Sequence, residues 1–296
     1  NIMSNIKIKA VTILAAGLSV FVGATTFAET TPATSTTTAQ NVAPRLVDKI
    51  SMSYLGVFYG PAINHLSSYQ PLSEGGDDLD SPQMLESLLN TGYKLNDKVT
   101  AGVGVAFWYR PIMGDEFRTS HQTEGAFVMK DPFLKVSHSK VLSRGNLNIA
   151  GDLRAYVPAT EPSRKANLIT GLRSTQATNY QIPDSRWSFG ADSMIRANIF
   201  GSNASATAKD LVLYFGPHVD FQINPKLSTT LLYEVNGFHK KGESLLSINN
   251  GGTDIASGLN WDVSPRVSIS PFLNMYPTSL RLSSTSLNVV LTAKLL

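Results

Sequence analysis

The chain has 296 residues, 42% of them hydrophobic, a mean hydropathy of −0.03, a formal charge of +3 and no cysteine. That is too polar for a bundle of membrane helices, and the lack of thiols excludes a disulfide scaffold or a thiolate metal centre. After the first thirty residues no apolar run reaches 18, so no helix beyond them is long and apolar enough to cross a bilayer.

The N-terminus reads as a targeting segment. Lys7 and Lys9 precede a short apolar run from Ala10 to Val22, and Thr26-Phe27-Ala28 supplies small residues at the −3 and −1 positions of a cleavage site. Residues 1–28 are therefore expected to be a signal peptide, the alternative being a short membrane anchor. Cleavage after Ala28 removes two lysines and takes the formal charge from +3 to +1, so the basic balance gives no reason to expect a nucleic-acid partner. Residues 29–45, rich in Thr, Ala and Pro, cannot bury enough surface to order themselves. They are expected to form a flexible periplasmic tail rather than a plug.

Residues 46–296 carry a repeated two-residue period, clearest in KVTAGVGVAFWYR from Lys98 to Arg110. As a strand it places Val99, Ala101, Val103, Val105, Phe107 and Tyr109 on one face, with Thr100, Gly102, Gly104, Ala106 and Trp108 on the other. The same alternation recurs in Leu147–Val157, Leu211–Gln222 and Leu287–Leu295. Five terse connections contain Asn96-Asp97-Lys98, Ser143–Asn146, Pro183-Asp184-Ser185, Asn224-Pro225-Lys226 and Ser264-Pro265-Arg266. They alternate with mostly longer polar ones at 60–83, 111–130, 158–165, 201–209, 239–251 and, tersely, 277–280.

Five turns and six loops separate twelve strands, near 49–59, 85–95, 98–110, 131–142, 146–157, 166–178, 186–199, 210–222, 226–237, 252–263, 266–276 and 281–296. The sixth is weakest by pattern and is required by parity, since single-chain bacterial barrels have even strand numbers. The fold class expected is all-β, a transmembrane antiparallel barrel; a soluble sandwich would use shorter strands. Aromatics should form two interface belts, with Tyr59, Tyr109, Phe200, Phe238 and Tyr276 at the loop end and Trp187, Phe221 and Trp261 at the turn end. Pro217 and Pro271 fall inside strands, where bulges would accommodate them. His138 and Lys140 fall on the lipid side, which calls for a register shift or a place near the interface.

Signal peptide, twelve alternating strands and short Asn/Asp/Pro turns resemble the small outer-membrane porins and channel proteins of Gram-negative bacteria. The resemblance implies an integral outer-membrane protein inserted by the barrel-assembly machinery, with its tail and C-terminus in the periplasm. It implies no cofactor and no metal. Such barrels usually end in an aromatic residue, whereas this chain ends Lys294-Leu295-Leu296.

The candidate pore-lining residues are Asp152, Arg154, Arg173, Asp192, Arg196, Asp220, Glu234 and Asp262, with Lys135 and Lys294 on the same wall. Asp152 with Arg154 and Asp192 with Arg196 are the pairs expected to form wall networks. In a water-filled lumen these charges would set a transverse field; in a dry one they would have to pair and plug it. The sequence shows no continuous arginine ladder, which speaks against a channel dedicated to acidic sugars. The function expected is passive diffusion of small hydrophilic solutes or ions through a monomer. One alternative is a non-conducting structural or adhesive barrel acting through its loops. Another is a phospholipase-type hydrolase, for which His138 between Ser137 and Ser139 would need a serine on an adjacent strand. Glu74, Asp77, Asp78 and Asp80 form an acidic loop without the full calcium-loop pattern.

Overall fold

The structure is a computed structural model that describes residues 49–63, 83–110, 127–244 and 246–296. The expected signal peptide, tail and acidic loop lie outside the described residues. The strands are β1 (Ile50–Tyr59), β2 (Met84–Lys94), β3 (Val99–Tyr109), β4 (Phe127–Met129), β5 (Phe133–Arg144), β6 (Leu147–Tyr156), β7 (Leu168–Gln181), β8 (Trp187–Phe200), β9 (Lys209–Asn224), β10 (Leu227–Lys240), β11 (Asn249–Ser264), β12 (Val267–Met275) and β13 (Ser286–Lys294). A short helix, α1 (Glu161–Lys165), sits between β6 and β7.

Apart from β4 and β5, which do not pair with each other, each strand pairs antiparallel with its neighbours in sequence, and β1 pairs with both β2 and β13. The sheet therefore closes on itself and has no free edge. β4 and β5 both pair with β3, and together they form one stave interrupted at residues 130–132. Thirteen strand segments thus make a twelve-stranded barrel. β4 falls in a stretch expected to be loop: three residues are too few to show a period, and only pairing with Phe107–Tyr109 defines them.

The five terse connections all lie at one end. Asn96 Oδ1 accepts from the backbone N–H of Lys98 at 2.9 Å and of Val99 at 2.8 Å, and Asn224 Oδ1 accepts from Lys226 N–H at 2.9 Å. Ser264 Oγ accepts from Arg266 N–H at 3.2 Å in the same way. These side chains mimic the backbone of a turn, which is why such residues punctuate the sequence. Gly145 opens the two-residue β5–β6 turn with φ +58°, a conformation that costs glycine little.

The barrel is inside-out relative to a soluble domain. Val103, Leu134, Phe189, Phe215, Leu231 and Leu259 are exposed on the outer face, and Leu231 is 54% accessible. Buried apolar side chains among the described residues are just Ala62, Phe133, Ala150 and Ala256, while Asp152, Thr175, Asn288 and Ser188 are buried polar ones. β7 is paired throughout on both sides, as parity required. Its outer face carries Ser174, Gln176 and Thr178, so both faces are polar and the alternation is blurred.

Neither proline needs a bulge. β9 keeps one register across Pro217, with the ladder to β10 skipping from Leu232↔His218 to Val235↔Phe215. β12 does the same at Pro271, where pairing with β11 jumps from Gly258↔Phe272 to Trp261↔Ile269 while pairing with β13 is continuous. Each proline leaves a gap in one ladder, and the closed ring holds the strand in place. The register shift falls instead between His138 and Leu142, two residues wide. His138 lies outward beside Val99, the first residue of β3, and so at the turn end.

The aromatic belts are half as expected. Trp187 and Trp261 are exposed at the turn end, and Trp187 packs 4.7 Å from Phe221. At the loop end Tyr109 and Phe127 face outward, whereas Tyr59 turns inward onto Glu86 and Phe238 inward beneath Lys209 and Lys240.

Candidate functional site

The inner wall is ordered by register rather than by position within any one strand. Lys135 of β5 stands directly opposite Arg154 of β6, Arg154 opposite Arg173 of β7, and Arg173 opposite Arg196 of β8. Four cations on four successive strands form one row. Directly opposed residues have Cβ atoms about 5 Å apart, where like charges repel by about 1 kcal/mol even in water.

One carboxylate partly relieves this row. Asp152 is fully buried and receives Arg154 Nη2 at 2.8 Å, Arg154 Nε at 3.1 Å and Lys135 Nζ at 3.3 Å, while Thr175 Oγ1 donates to it at 2.7 Å. The expected Asp152–Arg154 pair therefore forms, and it extends to Lys135. The expected Asp192–Arg196 pair does not. Four residues along a strand span about 13 Å, and Arg196 turns the other way, stacking 4.3 Å over Tyr156 and donating from Nε to Asn198 Oδ1 at 2.9 Å. Among the described residues Arg173 has no ion-pair partner, and its buried Nε finds no hydrogen-bond acceptor.

A second row carries the opposite sign. Asp192 of β8 lies opposite Gly216 of β9, and Glu234 of β10 lies directly opposite Asp254 of β11. Tyr214 folds over Gly216, where a Cβ would meet its hydroxyl at 2.4 Å, and donates to Glu234 Oε1 at 2.7 Å. Glu86 of β2 accepts from Tyr59 at 3.5 Å. Nearer the turns, Asp220 accepts from Ser188 at 3.4 Å and from Thr230, and lies 3.5 Å from His218 Nε2. Asp262 accepts from Ser268 Oγ at 2.7 Å. Lys294 faces Ser53 in the pair that closes the ring.

All eight candidate residues thus lie on the inner face, but sequence reading did not group them. The cationic ladder, which the sequence did not reveal, runs across strands; only the cross-strand register makes it visible. Glu86 and Asp254 extend the acidic side and were not singled out. The signal available for them was the inward parity of their strands.

Outside the rows, His138 lies on the outer face near the turns. The residues opposite it are Val99 and Gly151, so no adjacent-strand serine faces it directly, and its Nδ1 accepts from Lys140 N–H at 3.2 Å. At the loop end Asp131 ties α1 to the wall. Burial opposes its charge, but the hydrogen bonds from Ser163 and from the Thr160 backbone and hydroxyl outweigh it and hold the carboxyl below its ordinary value.

No protein-family model matches the chain, and no curated protein matches it. Among solved structures, a NanC porin covers 83% of this chain and 100% of its own at 8% identity and a TM-score of 0.47. The COG4313 outer membrane channel from Pseudomonas putida F1 covers 83% of this chain and 95% of its own at 11% identity and a TM-score of 0.52. At such identities the likeness is one of fold. This chain is a closed, twelve-stranded antiparallel barrel that shares its architecture with an outer-membrane channel.

Proposed function

We propose that the protein is an integral outer-membrane channel that passes small hydrophilic solutes by passive diffusion, with its terminal segments and short turns on the periplasmic side. The observation that carries this reading is the inner wall: two in-register rows of charge, one cationic and one anionic, inside a barrel whose outer face is apolar. A dry lumen would demand that these charges pair across it, since an uncompensated buried ion costs several kcal/mol. Asp152 instead serves two cations on its own side, and the rows stay apart.

The mechanism is steric sieving in the field between the rows, with Arg154, Arg173, Asp192, Arg196, Asp220, Glu234 and Asp262 lining the path and the buried Asp152 adding its charge behind Arg154 and Lys135. No reaction and no cofactor enters it. Planar-bilayer recording of the refolded protein tests it. Stable conductance steps whose ion selectivity changes in Arg154→Ala and in Asp192→Ala are expected. A protein that is folded by heat-modifiable gel mobility yet electrically silent would overturn the channel reading.

A further inference from the structure

The two rows differ in sign and, on β8, in position along the strand. β8 carries a member of each, with Arg196 in the cationic row and Asp192 in the anionic row, both inward because their spacing is even. Their Cα atoms are about 13 Å apart at the usual rise per residue. Arg196 leans away from Asp192, toward Asn198 and Tyr156, and this keeps the charges separate. The two rows occupy different arcs of the wall, β5 to β8 and β8 to β11, and the ion pairs of Asp152 with Arg154 and Lys135 stay within the first arc. Each row is therefore a set of like charges held together by the ring. The cationic row is least compensated at Arg173 and Arg196, next to the anionic arc.

An ion of either sign relieves one row and is repelled by the other. A solute with both charges relieves both, provided its charges are spaced to reach them. In an amino acid the ammonium and carboxylate are too close. An extended tripeptide sets its terminal charges about 10 Å apart, at about 3.3–3.6 Å per residue. Resting on the channel reading above, we propose that the lumen selects short unblocked peptides, the carboxylate running along Arg173 and Arg196 and the ammonium along Asp192 and Glu234.

Proteoliposome swelling tests this with triglycine, N-acetyltriglycine, triglycine amide, glycine, glycinamide and the uncharged sugar arabinose. Triglycine should enter about fivefold faster, relative to arabinose, than either singly blocked peptide, a factor of the size that one added contact between opposite charges supplies in water. Glycine should show no such advantage over glycinamide. The double variants Arg173→Gln/Arg196→Gln and Asp192→Asn/Glu234→Gln should each bring the triglycine-to-arabinose ratio down to that of the blocked peptides. If arabinose enters and triglycine has no advantage, or keeps it in both variants, the selectivity proposal fails and the channel stands. If folded protein admits none of the probes, the channel reading fails and this proposal with it.

Discussion

Replacing Asp152 with Asn tests how the cationic row is held. The substitution keeps the volume and removes the charge that Arg154 meets at 2.8 Å and Lys135 at 3.3 Å. Breaking a buried ion pair on one side costs about 3–5 kcal/mol. The lower end applies here, because Lys135 keeps 19% of its side-chain surface accessible and water can reach it. Four cations then stand in direct register with no carboxylate beside them. A loss of about 3 kcal/mol is expected. With a guanidinium slope of a few kcal/mol per molar, the unfolding midpoint should fall by about 0.5 M or more. The assay is guanidinium titration of the protein in lipid vesicles, followed by tryptophan fluorescence. Thr175→Val, which removes one hydrogen bond to the same carboxylate, should cost only about 1 kcal/mol. In bilayers Asp152→Asn should also shift ion selectivity toward anions. An unchanged midpoint together with unchanged selectivity would refute the view that Asp152 holds the row.

Gly104→Ala should lower refolding yield and stability, because a Cβ there would lie 2.2 Å from the Phe133 ring; Gly104→Ala combined with Phe133→Leu should recover part of the loss. Leu231→Arg, on the outer face, should cost about 2–4 kcal/mol near the bilayer midplane, while Leu232→Arg, on the inner face, should be tolerated far better. Equal effects in a vesicle-folding titration would contradict the face assignment. The depressed carboxyl of Asp131 gives the α1 tether a pH dependence. Its stabilisation is complete above the ordinary carboxyl value and is lost as pH falls through the lower folded value. Amide exchange at Thr160 and Arg164, corrected for intrinsic rates, should therefore rise only below about pH 4 in the native protein. In Asp131→Asn it should be raised already at neutral pH.

Much of the fold was legible because a barrel writes its pattern locally. Alternation within single strands and the Asn, Ser and Gly turn residues located eleven of the staves, and parity the twelfth, to within a few residues. β7 was hard because Ser174, Gln176 and Thr178 make its outer face polar, so parity had to stand in for pattern. The prolines differ from expectation for another reason. A ladder gap at Pro217 or Pro271 is tolerated when neighbouring strands hold the register on both sides, and sequence does not report that support.

The wall was legible only in part. Parity identifies which residues face inward, and Asp152 with Arg154, two apart on one strand, pair as their spacing allows. Whether Lys135, Arg154, Arg173 and Arg196 stand level depends on turn lengths and on the stagger of each strand pair, which accumulate around the ring. That is long-range information. Asp192 and Arg196 looked like partners by sequence distance, but four strand residues is too far for an ion pair.

The central claim is that the charged face borders water and the apolar face borders lipid. The chain has no cysteine, so single cysteines can be introduced without background. The most direct measurement is labelling of Arg173→Cys and of its neighbour Leu172→Cys by a small charged maleimide, in protein folded into vesicles. Rapid labelling at position 173 and protection at 172 is the predicted result. Labelling of 172 alone would invert the barrel's faces. Protection of both would mean a dry, plugged lumen and would contradict the account.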